Sequence, residues 1–96
     1  MDLFELVKNK KDEILNLANK HGAYNVRIFG SVAKGEARED SDIDFLVDFQ
    51  PHVGLLEWSG FWVEMEDLLG HKVDIATEKV LKGRIKNDVL KEAKPL

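Results

Sequence analysis

The chain has 96 residues, 44% of them apolar and 33% charged, which predicts one globular domain spanning 1–96 with a single core. Its net charge of -4 disfavours a broad electrostatic grip on nucleic acid, and the absence of cysteine excludes disulfides and thiolate metal sites. No apolar run approaches a membrane span and no signal-peptide pattern opens the chain, so a soluble protein of the cytoplasm is expected.

Residues 2–20 read as one helix, with Leu3, Leu6, Val7, Ile14, Leu17 and Ala18 on a single stripe and Gly22 as its stop. The cluster Lys8, Lys10 and Lys11 interrupts that stripe and is read as a solvated face. Val26 to Phe29 alternate as a short strand ending at Gly30-Ser31. A polar connection follows from Gly35 to Ser41, and Arg38 within it is open to two readings, a triphosphate contact or a surface ion pair. From Asp42 a second strand places Ile43, Phe45, Val47 and Phe49 on one face and Asp42, Asp44, Leu46 and Asp48 on the other. Asp48, further along, reads as a structural or solvated carboxylate.

Gln50 to Gly54 form a turn in which Pro51 stops the strand. Leu55 to Leu69 then predict a long helix with Leu55, Trp58, Trp62, Met65 and Leu69 on one stripe, widened by Leu56, Phe61 and Leu68. Tryptophans at helical spacing are read as core rather than as stacking platforms, with part of the apolar surface available to a partner. Gly70 closes this helix. A third strand runs over 72–76, with Val73 and Ile75 facing one way and Asp74 the other, while His71 is read as incidental. After Thr77 a helical segment carries Val80, Leu81, Ile85, Val89 and Leu90 on its apolar side, with an interruption at Gly83 and an end at Pro95.

The chemistry concentrates between Gly30 and Asp44. Asp42 and Asp44 project from one face with backbones about 7 Å apart. Paired like charges on a strand repel, and a hard divalent cation such as Mg2+, which takes carboxylate and phosphate oxygens, reverses that cost. Gly30 permits close approach of backbone N–H groups to an anion, and the Ser31 hydroxyl can donate to a phosphate oxygen. If Ser31 opens a short helical turn, Lys34 at its end adds a positive charge nearby. An anion cradle would thus sit beside a cation site.

Gly30-Ser31, Ala33-Lys34-Gly35 and Ser41-Asp42-Ile43-Asp44, with His71-Lys72-Val73-Asp74-Ile75 downstream, resemble the signature of the DNA-polymerase-β-like nucleotidyltransferases. The closest resemblance is to their minimal (MNT) branch. It covers nearly all of the chain and implies an α+β fold: a small mixed sheet of three or more strands with helices packed mainly on one face. It further implies transfer of a nucleotide from ATP, with Asp42, Asp44 and Asp74 as catalytic carboxylates holding two Mg2+ ions. Gly30, Ser31 and Lys34 would hold the phosphates. Minimal nucleotidyltransferases of this kind accompany HEPN-family RNase toxins and act as antitoxins by transferring AMP to a toxin tyrosine. Occlusion of the toxin without catalysis, or transfer to a small molecule, are the alternatives. A homo- or hetero-oligomer is compatible with so shallow a site.

Overall fold

The computed structural model describes residues 2–96; Met1 lies outside the described residues. Two helices open the fold, α1 (Leu3–Asn9) and α2 (Lys11–Lys20), where the sequence pattern suggested one. The break falls at Lys10, within the lysine cluster that interrupts the apolar stripe. Bending there lets Leu3 and Val7 of α1 and Ile14 and Ala18 of α2 all reach the core. Asp2 caps α1, its carboxylate accepting from the Glu5 N–H at 2.8 Å.

Strand β1 (Ala23–Phe29) runs into a one-turn helix, α3 (Gly30–Lys34), and a loop leads to β2 (Ile43–Phe49). Helix α4 (Leu55–Leu69) returns to β3 (Val73–Ala76), matching the sequence expectation for both to within a residue. A 3-10 turn over Glu78–Val80 precedes α5 (Gly83–Glu92), so Gly83 begins that helix instead of interrupting it. Lys94–Pro95, expected only to end the chain's last helix, add a short strand, β4. Among the described residues the sheet has four strands in the order β3-β2-β1-β4. β2 is antiparallel to β1 and parallel to β3, and β4 is antiparallel to β1, giving the mixed α+β architecture expected.

The register explains how the sheet divides its two faces. Ile28 pairs with Phe45, and Phe45 with Ile75, forming a buried row across three strands. Helices α1, α2 and α4 cover this face through Val7, Ile14, Phe61, Met65 and Leu69. Trp58 and Trp62 pack against the same core, as their spacing predicted, with Trp58 stacked at a tilt on Phe49. Leu55 and Leu56 do not join it: they are 77% and 90% exposed. The opposite face is only partly open. Val89 of α5 packs over Leu46 and Ala76, forming a second, smaller core beneath the C-terminal helix. Ile85 of α5 stays 65% exposed despite its place on the predicted apolar side.

Polar ties fix the helical layer. His21, just past α2, lies between Glu57 (2.7 Å to Nδ1) and Glu64 (at Nε2), and Lys20 reaches Glu64 at 2.8 Å. Burial alone would lower the His21 pKa, but the hydrogen bonds and charges of Glu64 and Glu57 outweigh it and hold the imidazole above its ordinary 6.5. Glu66 does similar work at the other end of α4, accepting from the Val73 N–H at 2.9 Å and so anchoring the start of β3.

Candidate active site

The row next to Ile28–Phe45–Ile75 holds the aspartates. Phe29 pairs with Asp44, and Asp44 with Asp74, so two acidic side chains sit directly across adjacent parallel strands. Asp42 immediately precedes β2, where the Ile43 N–H bonds to the Lys72 carbonyl at 3.0 Å and ties the starts of β2 and β3 together. Asp42 and Asp74 are exposed and Asp44 is half-buried. Like charges placed this way destabilise a sheet. The cost registers at Asp44: burial first, then the charges of Asp74, Asp42 and Glu92, push its carboxyl from 3.8 to about 6.

Gly30 closes against this cluster. It has φ +70°, and a Cβ there would collide with the Asp44 Oδ2, so no other residue fits without moving the carboxylate. Ser31, half-buried, occupies the first turn of α3, as the sequence suggested, and Lys34 ends it. The cradle contains one residue that the sequence reading missed. Glu92, the last residue of α5, accepts from the Gly30 N–H at 3.1 Å through Oε1 and pairs with the Lys34 Nζ at 3.3 Å through Oε2. The missed signal was local. An acid in the final turn of a helix opposes the helix dipole, which favours cations there.

Other candidates fall outside the cluster. Asp48 bonds to Asn25 at 2.9 Å and to Arg27 at 3.3 Å, bracing a β-bulge at Asn25, in keeping with a structural role. His71 turns its Nδ1 to the Leu69 carbonyl at 3.0 Å. Arg38 lines an open cavity of about 790 Å3 against α1, together with Glu39, Leu6 and His71, and none of the three aspartates borders it.

The donor set fits a hard cation. Asp42, Asp44 and Asp74, with no imidazole or thiolate beside them, offer only oxygen donors. Among the described residues, no three His, Cys, Asp or Glu side chains are already gathered around one point.

The structure thus sets Asp42, Asp44 and Asp74 beside a Gly-Ser turn on a small mixed sheet, and comparison with known proteins identifies the class of protein. A family profile described as a nucleotidyltransferase domain matches residues 8–96, and the chain belongs to that family. It is therefore an enzyme of the nucleotidyltransferase kind. It is 39% identical over 87 residues to protein adenylyltransferase MntA of Thermococcus cleftensis, covering 91% of this chain and 84% of that one. A solved structure provisionally assigned as a minimal nucleotidyltransferase superposes with a TM-score of 0.88 and 47% identity, over 100% of this chain and 97% of the other. A toxin–antitoxin structure with AMP-PNP shares the fold, with a TM-score of 0.74 at 18% identity over 88% and 70% of the two chains. No helix among the described residues is long and apolar enough to cross a membrane.

Proposed function

We propose that this protein is a protein adenylyltransferase antitoxin, transferring AMP from ATP to a tyrosine of a HEPN-family toxin in the cytoplasm. The observation that carries the reading is the Asp44–Asp74 pair, flanked by Asp42 and closed by Gly30, in a chain 39% identical to a protein adenylyltransferase. The tyrosine oxygen would attack the α-phosphorus of ATP, forming the new P–O bond as the bond to pyrophosphate breaks. Asp42, Asp44 and Asp74 would hold Mg2+, two ions in the full reading. Bound there, Mg2+ supplies positive charge to the attacking and leaving oxygens. Asp74, exposed at the sheet surface, would take the tyrosine proton. The Gly30 N–H, the Ser31 hydroxyl and Lys34 would bind the β- and γ-phosphates.

The site is shallow, with two of its three aspartates exposed, and encloses little of a nucleotide, which favours a partner chain that completes it. The toxin–antitoxin assembly of a structural neighbour supports the same reading. The test is replacement of Asp42 and Asp44 by Asn, followed by incubation with the toxin and Mg2+·ATP. Loss of toxin modification with toxin binding retained supports catalysis. Full neutralisation by the variant supports occlusion instead.

A further inference from the structure

Glu92 gains a hydrogen bond from the Gly30 N–H and an ion pair with Lys34, and these are set against two costs. It lies at the C-terminus of α5, where the helix dipole disfavours an anion, and close enough to Asp44 to help raise its pKa. Its side chain is only 23% exposed, so its charge is also partly desolvated. Its position is nonetheless firmly built. The Ala93 N–H closes the helix on the Val89 carbonyl at 2.8 Å, β4 pairs Lys94 and Pro95 with Ile28 and Arg27, and the Leu96 N–H reaches the Val26 carbonyl at 3.0 Å. Helix α5 and β4 thus deliver one carboxylate to the backbone N–H and the lysine assigned above to phosphate.

We propose that Glu92 is a built-in phosphate mimic, an autoinhibitory contact that nucleotide must displace. Its two oxygens stand where phosphate oxygens would be received, Oε1 on the Gly30 N–H and Oε2 on Lys34. The Gly30 N–H is a single donor and serves one anion at a time, whereas the Lys34 ammonium, with three, loses to Glu92 only part of its capacity for phosphate. Binding of ATP therefore requires the Glu92 side chain to swing out, and the apparent affinity falls by the fraction of molecules in which the cradle is open. The swing also relieves the repulsion between Glu92 and Asp44. The proposal rests on the nucleotide site assigned above and adds how that site is held shut.

Calorimetric titration of Mg2+·ATP into wild type, Glu92→Gln and Glu92→Ala tests this, with thermal melts confirming that each variant is folded. Glu92→Gln keeps the shape and loses the charge; Glu92→Ala removes the contact altogether. The expected result is tighter binding in both variants, by roughly tenfold in Glu92→Ala. In parallel, the Gly30 amide resonance of wild type should shift on Mg2+·ATP addition more than it does in Glu92→Ala, where that amide begins open to solvent. Equal or weaker binding by both variants overturns the proposal. Toxin modification by wild type at saturating ATP separates the two levels. If wild type transfers AMP while the variants bind ATP no better, Glu92 is not a plug and the nucleotide site stands. If no protein binds ATP and none transfers AMP, both fail together.

Discussion

Asp44→Asn should make the protein more stable while abolishing nucleotide binding. The folded protein holds the Asp44 proton more tightly than the unfolded chain does, since the carboxyl rises from 3.8 to about 6. Stability from this group is therefore fully present below pH 3.8 and lost as pH climbs through about 6. At about 1.4 kcal/mol per pH unit, and discounted because a half-exposed carboxylate is screened by solvent, the interval corresponds to on the order of 2 kcal/mol carried against the fold at pH 8. Asparagine has nearly the same shape and no charge, and it also spares Asp42 and Asp74 a like-charged neighbour. We expect a gain of on the order of 2 kcal/mol at pH 8, or a rise in Tm of roughly 10 °C for a chain of this size. The gain should shrink toward zero at pH 4, where wild-type Asp44 is protonated. Urea denaturation of both proteins at pH 4 and pH 8 reads the difference directly. Mg2+ should stabilise wild type at pH 8 and leave the variant nearly unchanged. A variant no more stable than wild type at pH 8 would refute the claim that the carboxylate cluster opposes folding.

Gly30→Ala should lose detectable ATP binding and destabilise by about 1–2 kcal/mol, since the left-handed backbone and the Asp44 collision both oppose a Cβ; calorimetry and urea melts check it. His21, raised above 6.5 by Glu64 and Glu57, contributes stability that is fully present below pH 6.5 and lost as pH rises through its higher native value. Urea midpoints should therefore fall from pH 6 to pH 9, and the double change Glu57→Gln/Glu64→Gln should flatten that slope. Phe61→Ala, emptying the fully buried centre of α4, should cost about 3–5 kcal/mol and leave ATP affinity of the remaining folded protein unchanged.

The aspartate row was legible because strand alternation is rigid: once Ile43, Phe45 and Val47 face the core, Asp44 must face away, and the same logic places Asp74. Gly-Ser before Asp-x-Asp then supplied the chemistry. Helix α4 was equally clear, its limits set by Gly54 and Gly70. Three features were not. The break at Lys10 depends on how two short helices share one core, which a single apolar stripe does not reveal. The exposure of Leu55 and Leu56 depends on what α4 packs against, which helical spacing alone does not reveal. β4 and Glu92 depend on long-range pairing, since Lys94 and Pro95 gain a partner only once the chain has returned to β1. Local pattern carries no trace of that return, apart from an acid at the wrong end of a helix.

The central claim is AMP transfer, and intact-mass spectrometry of the partner toxin tests it most directly. Toxin incubated with this protein, ATP and Mg2+ should gain the mass of AMP on a tyrosine, and Asp42→Asn/Asp44→Asn should add none. A toxin that is neutralised yet unchanged in mass would contradict the claim and make the aspartate cluster a binding surface only.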